Sequence, residues 1–186
     1  MKLFVKVLFT ATLLISNVTL SKTISDVEIA DRLSVGNQNL VLNGAGVRSK
    51  LFFDLYVGSL YLPKKTSDFQ KAMDSRFALI RLNITSGLIT PEKMQNAVIE
   101  GFEAATHNQL APLQTQIDEF IDLFESGIKE GDQFTFFAQK DIGITAFKND
   151  VKISEIKGEA FRHALFAIWL GDKPAQKSLK KKMLGK

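Results

Sequence analysis

Cysteine is absent from this 186-residue chain, and histidine occurs only twice. The first absence excludes a disulfide framework, a thiolate-ligated zinc, a haem thioether attachment and a thiol nucleophile together. His107 and His163 stand far apart in sequence, which leaves no imidazole cluster for a metal and no serine and carboxylate constellation around either ring. The chain also lacks GxSxG, HExxH and a P-loop, and Gly44-Ala45-Gly46-Val47-Arg48-Ser49 supplies two of the dinucleotide glycines without a third at the right place. No cofactor is expected. An excess of one charge is missing as well, since 24 Lys and Arg against 20 Asp and Glu give +4. The Lys-rich end (Lys173, Lys177, Lys180, Lys181, Lys182, Lys186) has no interleaved aromatics and is expected to be a solvated helical face, with no nucleic-acid partner. What is present is an ordinary 45% of apolar residues, 15 of the 186 being Phe. That is enough to bury a core without staples, in one domain.

The first residues form a segment of their own. Lys2 and Lys6 precede the uncharged apolar run Val7 to Ile15, and polar Ser16, Asn17 and Thr19 lead to the small Ser21. This is the order of a secretory signal peptide; the run is short for a bilayer span, which takes about 20 apolar residues, and an uncleaved membrane anchor is the other reading. Residues 1–21 are therefore set apart from a domain at 22–186. The mature chain then carries 22 basic against 20 acidic residues, has no stable membrane anchor, and suits a periplasmic or secreted setting, where a stray thiol is a hazard.

Hydrophobic spacing sketches the elements. Val27, Ile29, Leu33 and Val35 alternate as one half-buried strand up to the turn Gly36-Asn37, and Leu40 to Leu42 forms a second that runs into Gly44-Ala45-Gly46, where a bend or a close backbone approach is expected. Leu51 to Leu62 reads as a long central strand buried on both faces. Ser67 is placed to cap a short helix to about Asp74, and Phe77 to Ile84 is a strand with Arg81 and Asn83 on its polar side. Thr90-Pro91-Glu92 starts a helix that should bury Met94, Ala97, Val98, Phe102 and Ala105. A second helix is expected over Leu113 to Glu125. Strands follow at 133–139, 143–148 and 151–156, the last two joined by Asn149-Asp150, then a helix at 159–170 and another from Pro174 to Met183. The order indicates an α+β domain, an antiparallel sheet with helices packed on it.

Two motifs in order narrow this further. Asn43-Gly44-Ala45-Gly46-Val47-Arg48, followed by Leu55-Tyr56-Val57-Gly58-Ser59-Leu60-Tyr61-Leu62, and the terminal Ala167-Ile168-Trp169-Leu170-Gly171-Asp172-Lys173-Pro174 resemble the chalcone isomerase-like superfamily, in particular its exported bacterial members, over nearly all of residues 27–185. The resemblance implies an open-faced β-sandwich with helices on one face and an apolar cleft between. It also implies site positions. The isomerases' Arg corresponds to Arg48, and their strand Thr falls on Tyr56. Their catalytic Tyr falls on Lys93, an Asn on Glu100 and a polar Thr on Ile168, so chalcone cyclisation is not expected.

An Arg with a Tyr is instead similar to the fatty-acid-binding branch, where the two hold the ligand carboxylate. Independently of that likeness, a guanidinium presents a fork of donors matched to a carboxylate, and a phenol adds a neutral donor on a rigid ring. The expected ligand set is Arg48, Tyr56, Lys93 and Trp169, with Phe52 a further candidate for the cleft wall. Lys93 sits against the dipole at a helix N-terminus, a placement that points to a local task. Two accounts of Arg48 stand at this point: an internal partner such as Asp54 or Glu100, or an anionic ligand. Three functions correspond to them: a non-catalytic binder of a fatty acid or similar amphiphilic carboxylate, an isomerase acting on a chalcone-like enone, and an envelope protein with a filled cleft and a protein partner.

Overall fold

The computed structural model describes residues 21–186. The expected leader lies outside the described residues except for Ser21, which opens the first strand. The strands are β1 (Ser21–Ile24), β2 (Val27–Ala30), β3 (Arg32–Val35), β4 (Gln38–Lys50), β5 (Phe53–Leu62), β6 (Phe77–Ile84), β7 (Gln133–Gln139), β8 (Gly143–Lys148) and β9 (Val151–Lys157). The helices are α1 (Phe69–Met73), α2 (Pro91–Thr106), α3 (Gln114–Asp122), α4 (Glu159–Leu170) and α5 (Lys177–Met183), with a 3-10 turn at Ala111–Leu113 before α3. β3 to β9 pair in chain order as one antiparallel seven-stranded sheet, while β1 and β2 form a separate hairpin.

Alternation along the strands divides two cores between the sheet's faces. From β5, Tyr56, Leu60 and Leu62 join the larger core beneath the helices, with Phe102, Phe120, Phe136 and Phe161 at its centre. Val57 and Tyr61 point the other way, into a smaller core with Ile29, Leu40, Leu79 and Phe137 that the β1–β2 hairpin covers. The Tyr61 hydroxyl donates to the Ala30 carbonyl at 2.9 Å and pins that cover.

Several expectations hold at residue level. Thr90 caps α2 by accepting from the Lys93 N–H at 3.3 Å, and Asn149 and Asp150 form a turn with φ of 50° and 63°, the double positive φ of a tight hairpin. Others need correction. The stretch 27–35 is not one strand, because Asp31 breaks it and hands β2 to the small hairpin and β3 to the sheet. β4 does not end at the glycines but runs through them, with register shifts at Leu42/Gly44 and Arg48/Ser49. β5 starts at Phe53, and Leu51-Phe52 is an exposed turn. Asp68, not Ser67, caps α1, since its carboxylate accepts from Lys71 N–H at 3.0 Å. α3 begins only after the 3-10 turn, and α5 only at Lys177.

The glycine motif serves close approach, and what approaches is the C-terminal helix. Gly46 and Gly58 are cross-strand partners, and with Gly44 they leave a strip of sheet without side chains. A Cβ on Gly44 would collide with the Lys182 carbonyl, one on Gly46 would stand 2.7 Å from Lys182 Cδ, and one on Gly58 3.5 Å from Leu179. α5 lies on that strip and buries Leu179 and Met183. Asn43 fixes its far end by donating to the Met183 carbonyl at 2.8 Å.

Candidate functional site

Arg48 and Tyr56 are directly opposed across β4 and β5. Opposed residues share a face with their Cβ atoms roughly 5 Å apart, and here that face is the helix-covered one. Both line a cleft of about 620 Å³ between the sheet, α2, the end of α4 and the chain leading to α5, within the roughly 300–1,000 Å³ usual for small-molecule sites. Leu55, Leu82, Met94, Val98 and Ile168 make most of its wall apolar. α2 buries Met94, Val98 and Phe102. Ala97, expected in the core, is exposed on the cleft, and Ala105 only flanks the core. α2 and α4 are drawn together at Gly101, where a Cβ would stand 2.9 Å from Ile168 Cγ2.

At the polar end, the Trp169 indole donates to the Tyr56 oxygen at 2.9 Å. An indole N–H can only donate, so the phenol is the acceptor and its own proton remains free, with no acceptor for it among the described residues. Burial pushes the Tyr56 hydroxyl up from its ordinary range, outweighing the Trp169 hydrogen bond and the nearby Arg48 charge, which pull it down. Tyr56 is thus held as a neutral donor.

Arg48 is half-buried and has only neutral partners. Its Nη1 donates to the Ser49 carbonyl and to Gln176 Oε1, both at 2.9 Å. The same Gln176 oxygen accepts the Ser49 N–H at 3.0 Å, a group that the Arg48/Ser49 register shift leaves without its ladder partner. Gln176 therefore sets the bulge and the guanidinium together. Asp54, one internal partner considered for Arg48, is engaged by the hydroxyls of Ser49 at 2.8 Å and Ser25 at 3.3 Å. Glu100 lines the cleft but is exposed, and neither acid forms an ion pair with Arg48 among the described residues.

The structure brings all four expected ligand residues to this one cleft, along with Glu100 and Ile168. Lys93 is exposed at the rim, its ammonium 3.1 Å from the Leu88 carbonyl. Phe52 does not line the wall and is 98% exposed. Sequence reasoning missed Lys50 and Lys173 at the rim and Gln176 beneath Arg48. No local signal marks Gln176, because it meets β4 across 128 positions of chain.

Comparison with known proteins matches this description. A fatty-acid-binding protein of Arabidopsis thaliana superposes with a TM-score of 0.70, covering 89% of this chain and 96% of its own at 14% identity, a likeness of fold. No curated protein matches the sequence. The family model described as chalcone isomerase-like matches residues 21–185. The curled antiparallel sheet, the helices on one face and the Arg48 cleft between them are thus those of a chain that belongs to the chalcone isomerase-like family.

Proposed function

We propose that the protein binds a fatty acid or similar amphiphilic carboxylate without chemical turnover, the acyl chain in the cleft and the carboxylate between Arg48 and Tyr56. One observation carries this: a half-buried guanidinium with neutral partners faces an apolar cleft beside a phenol whose proton is unspent. A charge drawn away from water needs compensation, and nothing in the described residues supplies it. An anion with an apolar tail matches both ends of the space. The rim adds Lys50, Lys93 and Lys173 against the single acid Glu100, a balance that favours an incoming anion.

The fatty-acid-binding neighbour supports the same ligand class. Lys93, Glu100 and Ile168 stand where the resemblance to the isomerases places a phenol, an amide and a hydroxyl, which argues against enone cyclisation. The open cleft argues against an envelope protein whose cleft is filled by its own side chains. Export to the periplasm is part of the proposal and rests on Lys2, Lys6 and the apolar run that follows.

Solvent extraction of the purified protein followed by mass spectrometry should release acyl chains. Calorimetric titration with a long-chain fatty acid should then show one site, and the methyl ester of the same acid should bind at least about ten-fold more weakly, because it removes the charge that Arg48 answers. Equal binding of acid and ester would defeat the proposal.

A further inference from the structure

Phe52 is 98% exposed and Leu51 86%, while Phe53 and Leu88 are 55% and 45% exposed. Leu51, Phe53 and Leu88 all border the mouth of the Arg48 cleft, and Phe52 extends the tip beyond it. Scattered exposed apolar residues are ordinary, but three in a row at the end of the β4–β5 hairpin, with Leu88 of the β6–α2 loop lining the same cleft, are not. The tip is also a poor turn. Lys50 pairs with Phe53, so Leu51-Phe52 is a two-residue loop, and Leu51 alone of the two has a positive φ, +57°. In a loop of that pattern the first position ordinarily goes to Gly, for which the left-handed conformation is free of strain. Both residues therefore run against turn chemistry and against solubility, and neither contributes to either core. Charge supplies the second observation. The exposed charged side chains at the rim of the same cleft are Lys50, Lys93 and Lys173, with Glu100 the one acid. An apolar wedge inside a collar of lysines is complementary to lipid acyl chains beneath anionic headgroups.

We propose that the Leu51-Phe52 tip docks on an anionic phospholipid bilayer, with both side chains in the acyl boundary and the rim lysines against the headgroups. The contact proposed is peripheral, made by the hairpin tip; no helix among the described residues is long and apolar enough to cross a membrane. Docking places the mouth of the cleft on the lipid surface. The docking itself stands on the hairpin and its charges; only the corollary, that an amphiphile passes between leaflet and cleft without entering bulk water, rests on the ligand class proposed above.

The test is cosedimentation with vesicles of phosphatidylcholine mixed with phosphatidylglycerol, using wild-type protein and variants prepared in the same form so that residues 1–20 contribute equally. Wild type should bind these vesicles more tightly than pure phosphatidylcholine and release as salt rises. Phe52→Ser should lower the partition coefficient about ten-fold, and Leu51→Gly with Phe52→Ser should lower it further. The double variant relieves the +57° φ at Leu51, so it should melt no earlier than wild type, and lost binding would not reflect lost folding. Undiminished binding of Phe52→Ser, or equal binding to both vesicle types, would overturn the proposal. So would self-association in solution that vanishes with Phe52→Ser, which would assign the tip to a second copy of the chain. Fluorescent fatty-acid binding in lipid-free solution separates the two proposals. Vesicle binding without fatty-acid binding defeats the ligand assignment alone, and the reverse defeats docking alone.

Discussion

Arg162 and Arg48 are both drawn out of water, and the protein treats them in opposite ways. Arg162, on α4, is 1% exposed. Glu159 one turn earlier grips it through two donors, and a third bond reaches the Met73 carbonyl at 3.0 Å, with Nη1 the one nitrogen left over. Its counter-charge is encoded three residues away and the region is closed. Arg48 keeps more contact with water and holds its place by an amide oxygen and a main-chain carbonyl, neither of which cancels a charge. A cation whose neutralisation is built in belongs to the architecture, whereas one that is positioned and left charged beside an open apolar space is available to a ligand.

The largest expected effect breaks the closed pair. Glu159→Gln should cost about 3 kcal/mol in urea unfolding, because it strands a buried guanidinium. Arg48→Met should leave stability within about 1 kcal/mol of wild type yet weaken fatty-acid binding about thirty-fold, as expected for losing a charged hydrogen-bonding partner. A loss of stability at Arg48 as large as that at Glu159 would erase the contrast. Tyr56→Phe should weaken the same binding only about five-fold, since it removes one neutral donor.

The smallest expected differences lie in the pH profile of stability. The Arg162 hydrogen bond holds the Glu159 carboxyl below its ordinary range. Its contribution is complete above the ordinary glutamate value and fades as pH falls through the folded one, so Glu159→Gln should flatten the acid limb of a melting-temperature profile. Burial raises Tyr56, so its contribution is complete below the ordinary tyrosine value and is lost as pH climbs past it. Tyr56→Phe should accordingly flatten only the alkaline limb.

What could be read from the sequence follows how local each determinant is. The helix start at Thr90-Pro91-Glu92 and the turn at Asn149-Asp150 are fixed by neighbouring residues and fell where expected. The break at Asp31 did not show, because alternation continues across it and only pairing partners separate β2 from β3. Leu51-Phe52 reads as strand interior in the sequence because apolar content alone cannot tell a buried run from an exposed tip. Arg48 and Tyr56 were found through the motif, and the residues flanking Arg48 in it turned out to serve the bed on which α5 lies. The Trp169 bond that directs the Tyr56 proton spans 113 positions, and Gln176 reaches Arg48 from nearly as far along the chain as any pair here. Such meetings are products of the finished fold and leave no periodic trace.

That bed of glycines has a consequence for how the protein is made. The element that seats on it carries Gln176 at its entrance, 128 positions after Arg48. During synthesis β4 and its glycines therefore emerge long before the helix that covers them, and the strands can pair while the Arg48 bulge still waits for its amide. The anion seat is thus a late product of folding, shaped only once Gln176 has reached the sheet.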